Sequence, residues 1–308
     1  MAALPENSPN SALLQLKDLM KTEQISYGNS EKEKADIILI CPHDGDHKAF
    51  LNMFVQLRDQ WPEDISVEDY MNLERDIGSE MITDALLEKL LSKRSDLRID
   101  VIKIKEIPRG VLDVNRKPAS DMNGEEFAVR KCFEHQKFPK LYEIFQEIHL
   151  AVVTEIREAI ADLADGGLFI DIHTMNDHCP TDPVELSATN IKEYCESLTV
   201  ENKKQRSVNA LTTTPDDKFL ANQTLAQELK KAFTDAGYTF EYDDPYDLIP
   251  RTMTTDLLER NKGKGIGIDY PLYVLHDGNS NNISPEIIPE KVEKVAALTA
   301  TAILASLN

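Results

Sequence analysis

Long hydrophobic runs are missing from this sequence, and no apolar stretch approaches the roughly 18 consecutive residues of a membrane-spanning helix. The first residues lack the basic and then apolar pattern that is typical of a secretory signal. Cysteine is also scarce, with four residues that form no CxxC pair and no dense framework. Reduced thiols are therefore the expectation. These absences together predict a soluble, cytoplasmic protein with no membrane partner.

Positive charge is scarce as well, since 34 Lys and Arg residues face 54 Asp and Glu residues, for a net charge of -20. Such a surface repels the phosphates of nucleic acids and the anionic face of a membrane, which argues against both as partners. The same field repels a small anionic ligand at long range. An acidic ligand would therefore need arginines placed locally in its binding site.

The length of 308 residues and the hydrophobic content of 41% allow a large buried core. We expect residues 1–34 to form an N-terminal extension with a helix. Residues 35–308 are then expected to form a single domain.

The alternation of strands and helices predicts the fold class. Short runs rich in Ile, Val and Leu are typical of strands buried on both faces, and they lie at Ala35–Pro42, Leu97–Ile104, Gly167–His173 and Gly265–Leu275, with weaker candidates at Ser207–Leu211 and Tyr238–Tyr242. Apolar residues three and four apart predict helices at Lys48–Gln60, Ser79–Ser95, Lys140–Ala164, Asp217–Ala236 and Pro285–Leu307. Residues 121–139 and 176–206 show no period and are predicted to be loops. The pattern favours a three-layer α/β/α sandwich around a mixed, largely parallel sheet.

Two histidines follow predicted strands at the edge where functional residues of such a sheet collect. His43 comes just after the first strand, and Asp171 and His173 lie two apart at the end of the third. Two histidines that meet a carboxylate could hold zinc with one position open, as hydrolysis requires. Asp171 could orient His173 by accepting its second ring N–H. The alternative for each histidine is a hydrogen-bonded residue at a strand end.

The carboxylate ligand stays open at this point. Asp46, Asp76 and Glu80 all lie beyond the first predicted strand and all are available. For each of them the alternative is an ordinary solvated side chain, since most acidic residues are exposed.

An arginine-rich loop follows the strand at Leu97–Ile104. It contains Arg109, Asp113, Asn115 and Arg116. The planar guanidinium matches a carboxylate in bidentate fashion, so this loop could supply the local positive charge that an acidic ligand needs. A surface salt-bridge cluster is the competing interpretation.

Five short motifs occur in an order that resembles a known family. They are PHDG at His43, RDIG at Asp76, the RxxxDxNR pattern from Arg109 to Arg116, LYEIFQEIH ending at His149, and DIHT at His173. Together they resemble the N-formylglutamate amidohydrolase family, whose fold is zinc exopeptidase-like and is shared with the carboxypeptidases. The resemblance runs from about Ala35 to Pro271.

The resemblance implies a zinc-dependent amidohydrolase that acts on a small anionic N-acyl amino acid. One Zn²⁺ would be held by His43, Asp76 and His173, and residues 35–308 would be the catalytic domain. A zinc ion in such a site activates a water molecule and polarises the scissile carbonyl.

The resemblance also implies roles around the metal. Asn115 and Arg116 would hold the α-carboxylate of the substrate, and Arg109 would stabilise the oxyanion. His149 would add a polar contact with the substrate.

The sequence departs from the family at three places. Thr174 stands where serine is usual. Asp269 stands where a late catalytic glutamate is expected, so the general base would be one methylene shorter. The substrate loop takes a different course and brings Arg251 near the expected pocket.

Two other functions fit the same residues. A carboxypeptidase-like hydrolase could hold a peptide C-terminus with the same Asn–Arg pair, and a silent binding protein could keep the pocket without the base. The acyl group, the preferred amino acid and the oligomeric state are not readable from the sequence.

Overall fold

One mixed sheet of seven strands forms the centre of the protein in the computed structural model, which describes residues 20–44, 50–51, 66–133, 139–177, 190–199, 205–277 and 285–307. The strands are β1 (Lys21–Gly28), β2 (Ile37–Cys41), β3 (Arg98–Lys105), β4 (Leu168–Met175), β5 (Val208–Leu211), β6 (Phe240–Tyr242) and β7 (Gly265–Pro271). Their order across the sheet is β1-β3-β2-β4-β7-β5-β6.

The four central strands, β3, β2, β4 and β7, are parallel to one another. All residues of β2 and β4 are buried. Nearly continuous apolar strands are expected where helices cover both faces of a parallel sheet. β1 pairs antiparallel with β3 at one edge, and β5 pairs antiparallel with β7 towards the other.

Seven helices accompany the sheet in the described part of the chain. They are α1 (Val67–Glu74), α2 (Ser79–Lys93), α3 (Pro139–Ala161), α4 (Ile191–Thr199), α5 (Gln223–Asp235), α6 (Met253–Arg260) and α7 (Pro289–Ser306). Buried residues of α2, α5 and α7 form one core with the sheet, and buried residues of α1, α3, α4 and α6 form a second core. Two cores on one sheet make the three-layer α/β/α sandwich that the sequence predicts.

All six predicted strands are present, with small shifts at their ends. β4 runs two residues past His173 to Met175, and β7 ends at Pro271, where a 3₁₀ turn at Leu272–Val274 follows. Proline lacks an N–H for the ladder, which suits it to the last position of a strand.

Three short helices were not predicted. α4 lies inside residues 176–206, so the prediction of a loop there is wrong for this part. α1 and α6 are eight residues long, too short for a helical period to stand out. Their first turns are stabilised by side-chain caps instead, because Ser66 and Thr252 each accept a hydrogen bond from the backbone N–H group three residues on.

The N-terminal segment contributes a strand that the sequence did not predict. β1 pairs with β3 along its whole length, from Lys21 to Gly28. Most of its side chains are exposed, as is common for an edge strand. The helix expected in residues 1–34 has no counterpart among the described residues 20–34, and residues 1–19 lie outside the description. The predicted helix Lys48–Gln60 also lies almost wholly outside it.

Within the described residues, none of the helices combines the length and the apolar character that a bilayer crossing requires.

Candidate metal centre and its cavity

The carboxyl ends of the parallel strands meet at one edge of the sheet and carry the candidate site. His43 follows the end of β2 by two residues. His173 lies near the end of β4, and its register partner on the neighbouring strand β7 is Asp269. Three side chains that are far apart in sequence therefore lie together because of strand order.

His43, Asp76 and His173 form a compact buried group. Each offers one ligand atom, and these atoms all lie within 4.8 Å of one another. The Nδ1 atoms of His43 and His173 lie 3.2 Å and 2.9 Å from the same oxygen, Oδ2 of Asp76. Two imidazole nitrogens and one carboxylate oxygen are a common donor set of catalytic zinc. The described residues thus fit a single divalent cation.

The structure distinguishes between two of the three carboxylates that could be the metal ligand. Asp76 lies between the histidines, whereas Glu80 forms an ion pair with Lys103 at 2.9 Å. Asp46 lies outside the described residues. Asp76 is brought there by the turn between α1 and α2, where its backbone N–H donates to the carbonyl of His43.

Each histidine also meets a second carboxylate on the far side of its ring. Nε2 of His43 lies 3.0 Å from Oδ1 of Asp113, and Nε2 of His173 lies 3.1 Å from Oδ2 of Asp171. A carboxylate at Nε2 favours the proton on that nitrogen and leaves the lone pair of Nδ1 for a cation. Asp171 therefore occupies the orienting position expected from the sequence. Asp113 occupies the matching position at His43, which the sequence did not predict.

Neighbouring charges stabilise the ionised forms of the side chains in this group, and they shift the pKa values strongly. Burial alone lowers the pKa of His173, but the carboxylates of Asp171 and Asp76 outweigh it and hold the pKa well above its ordinary value. Burial alone raises the pKa of Asp76, but Arg109 and the two histidines bring it far below the usual range. Asp113 is kept ionised in the same way by Arg116 and Arg109. The centre thus presents fixed negative charge to a cation.

The loop after β3 lies beside the histidines. Arg109 donates from Nη1 to Oδ1 of Asp76 at 2.7 Å, and Nη2 of Arg116 lies 2.9 Å from Oδ2 of Asp113. Both arginines line the cavity described below while pairing with these buried carboxylates. The two interpretations of this loop are therefore not exclusive, because the ion pairs are buried and fix the arginines at the site.

The amide of Asn115 has a defined orientation. Its Oδ1 accepts a hydrogen bond from the backbone N–H of Thr254 at 3.0 Å, at the start of α6. The hydroxyl of Thr254 donates to Oδ2 of Asp171 at 2.6 Å. Nδ2 of Asn115 lies 3.5 Å from Nε2 of His173, and Asn115 lines the cavity described below. The Nδ2 group of a side-chain amide can donate two hydrogen bonds to an anion.

A cavity of about 440 Å³ opens at this edge of the sheet. Four carboxylates line it, together with six arginines, which are Arg75, Arg109, Arg116, Arg130, Arg206 and Arg251. The chain as a whole carries a net charge of -20, so six arginines at one cavity are a local concentration of positive charge, of the kind that an anionic ligand would need.

Asp269 lines the cavity as a buried carboxylate that is 7% exposed. Its Oδ2 has no hydrogen-bond partner among the described residues. Burial raises the pKa of Asp269 above its ordinary value. A carboxylate with a raised pKa and a free oxygen is suited to accept a proton.

The remaining two predicted residues, His149 and Arg251, lie at different places relative to the cavity. His149 lies behind the loop, where Nε2 is 2.9 Å from the carbonyl oxygen of Arg116, and it is not among the residues that line the cavity. Burial lowers the pKa of His149, which favours the neutral ring. Arg251 does line the cavity, and its guanidinium carbon lies 5.5 Å from the centre of the Phe127 ring.

Several cavity residues were not predicted. Arg206 and Tyr246 line the wall beside β5. Glu74 contacts both Arg130 and the hydroxyl of Tyr194, and it thereby ties α4 to the end of α1. The antiparallel direction of β5 is the feature that brings Arg206 to this edge, and the sequence carries no signal for that direction.

Comparisons with known proteins concern the fold. No protein-family model matches the chain, and no curated protein matches it with significance. The solved structure of an N-formylglutamate amidohydrolase from Ralstonia eutropha JMP134 is similar with a TM-score of 0.50 at 12% identity, over 94% of this chain and 96% of that chain. A gene product from Agrobacterium tumefaciens is similar with a TM-score of 0.54 at 15% identity, over 94% of this chain and 96% of that chain. These likenesses confirm the predicted fold.

Proposed function

We propose that this protein is a zinc-dependent amidohydrolase that cleaves the amide bond of a small anionic N-acyl amino acid, with N-formylglutamate as the first substrate to test. One observation carries the proposal. Two imidazole nitrogens and the Asp76 carboxylate converge beside the buried carboxylate of Asp269, in a cavity lined by arginines. The choice of an N-formyl amino acid rests on the five motifs, and the fold of the Ralstonia protein agrees with it.

Zinc held by His43, Asp76 and His173 would polarise the scissile carbonyl and lower the pKa of a water molecule to roughly 7. Asp269 then takes the proton of the attacking water at its free Oδ2 and passes it to the departing amine. Its place beside His173 in the strand register supports this role, although its side chain is one methylene shorter than glutamate.

The arginine loop supplies the electrostatic part of the reaction. Arg109 stabilises the oxyanion that forms when the carbonyl becomes tetrahedral. Asn115 and Arg116 bind the α-carboxylate, because both residues line the cavity and the contact of Oδ1 with Thr254 leaves Nδ2 of Asn115 as the donor. His149 contributes through the loop, since it contacts the backbone of Arg116.

The direct test is the hydrolysis of N-formylglutamate by the protein after loading with one equivalent of zinc. We expect release of glutamate at a rate proportional to bound zinc, and loss of that release after chelation. The carboxypeptidase-like alternative is separated by parallel assays on short peptides with a free C-terminus, which the Asn115–Arg116 pair could also hold. Stoichiometric zinc without hydrolysis of any of these substrates would instead indicate a silent binding protein.

A further inference from the structure

Arg206 is a buried arginine of the cavity, and no carboxylate of the described residues lies in ion-pair contact with it. Arg206 is 6% exposed, and its Nε has no hydrogen-bond partner among the described residues. Arg109 and Arg116, by contrast, lie within 3 Å of Asp76 and Asp113. The charge of Arg206 acts on Asp269, whose pKa it lowers against the larger effect of burial, but the two side chains form no ion pair. A buried charge without an ion-pair partner is costly, so the Arg206 side chain is expected to meet an anion.

Neighbouring groups hold the guanidinium of Arg206 in place. Nη2 donates to the hydroxyl of Tyr246 at 2.9 Å, and the guanidinium carbon lies 5.1 Å from the centre of the Tyr246 ring. Tyr246 is fixed in turn, because Nδ2 of Asn209 on β5 donates to its carbonyl oxygen at 3.0 Å. The backbone N–H of Arg206 donates to the carbonyl of Asp177 at 2.8 Å. A guanidinium held in this way is preorganised for a ligand.

The position of Arg206 relates it to the metal centre. It precedes β5, and the antiparallel pairing of β5 with β7 puts the start of β5 at the carboxyl edge of the parallel strands. The loop of Asn115 and Arg116 follows β3, on the other side of β2 and β4 in the strand order. His43 follows β2, and His173 lies near the end of β4. Arg116 and Arg206 therefore come from different strand ends, and both line the cavity.

We propose that Arg206, held by Tyr246, binds a second carboxylate of the ligand and determines specificity for it. This inference rests on the proposed function, in which Asn115 and Arg116 bind the α-carboxylate. The α-carbon, which carries the N-acyl group as its third branch, then lies between the two anion sites. The substrates are N-acyl amino acids whose side chain carries its own carboxylate.

The test compares N-formylglutamate with N-formylglutamine, which has nearly the same shape and a neutral side chain. Wild-type protein prefers the acid. Arg206→Gln should lower kcat/KM for the acid by about 10- to 100-fold, mainly through KM, and change kcat/KM for the amide by less than about threefold. Arg94→Gln is the matched control, because Arg94 is an exposed arginine paired with Asp96 outside the cavity, and it should leave both values unchanged.

Binding to the metal-free protein gives a readout that does not depend on turnover. Calorimetric titration with glutamate and with glutamine should show tighter binding of glutamate, and Arg206→Gln should remove the difference. Hydrolysis with an unchanged acid preference in Arg206→Gln overturns this inference and leaves the proposed function standing. Charge-selective binding that depends on Arg206, without any hydrolysis, supports this inference and overturns the proposed function.

Two milder variants cover the case in which Arg206→Gln does not fold. Arg206→Lys keeps the charge but loses the planar fork, so KM for the acid should rise several-fold while KM for the amide stays constant. Tyr246→Phe removes one hydrogen bond to the guanidinium and should act in the same direction. An unchanged KM for both substrates in the two variants contradicts the inference.

Discussion

His173 and Asp269 are register partners on the neighbouring parallel strands β4 and β7. This pairing puts a candidate metal ligand directly beside a buried carboxylate with a free oxygen. Strand register fixes such neighbours more firmly than a loop does. The relationship therefore links the fold to the proton transfer that we propose.

Asp269→Asn should lower kcat by at least about 100-fold, because the amide cannot accept the proton of the attacking water. Zinc content should not change, since Asp269 is not in the ligand group. Replacing a buried carboxylate of raised pKa by a neutral group of the same shape should not lower the melting temperature. Steady-state kinetics with elemental analysis check the first two points, and unchanged kcat would rule out Asp269 as the base.

Arg109→Ala should lower kcat by about 100- to 1000-fold and should affect KM much less, as expected for a group that stabilises the oxyanion. Arg109 also donates to Asp76, so zinc content is measured on the same sample. A rise in KM with constant kcat would assign Arg109 to substrate binding alone.

Asp171→Asn should weaken zinc binding by about 10- to 100-fold without abolishing it, because Asp171 orients His173 through Nε2. Competition with a chromogenic chelator measures the affinity. Asp84→Asn is the control, since this exposed carboxylate pairs with Lys103 outside the cavity. Equal affinity in wild type and Asp171→Asn would contradict the orienting role.

Zinc affinity should depend on pH. Asp171 and Asp76 hold the pKa of His173 well above its ordinary value, so the metal-free protein carries a proton on this ring at neutral pH. Zinc requires the free Nδ1 and must displace that proton. Below the pKa of His173, the apparent dissociation constant should therefore fall by about tenfold for each unit of rising pH. Chelator competition between about pH 6 and pH 7.5 checks this, and an affinity independent of pH would contradict it.

The sequence predicts most of the sheet because the strands are buried on both faces. Runs such as those at β2 and β4 contain little besides apolar residues, so His43, Asp171 and His173 stand out at their ends. Local pattern does not choose among the carboxylates, however. The family resemblance selects Asp76, and in the fold Asp76 lies between the histidines whereas Glu80 pairs with Lys103.

Other features depend on contacts that no local pattern encodes. The direction of β5 follows from tertiary packing, and this direction carries Arg206 to the cavity. The helix α4 lies between segments without a period, which led to the wrong prediction of a loop. β1 was missed because an edge strand with exposed polar side chains lacks the apolar signature of the central strands.

The metal content of the purified protein tests the central claim most directly. After loading with zinc and removal of excess metal, elemental analysis should find about one zinc per chain in the wild type. His43→Ala and His173→Ala should each retain almost none, whereas Glu80→Gln should retain the wild-type amount because Glu80 pairs with Lys103 away from the histidines. Full zinc occupancy in both histidine variants, or none in the wild type, would contradict the account.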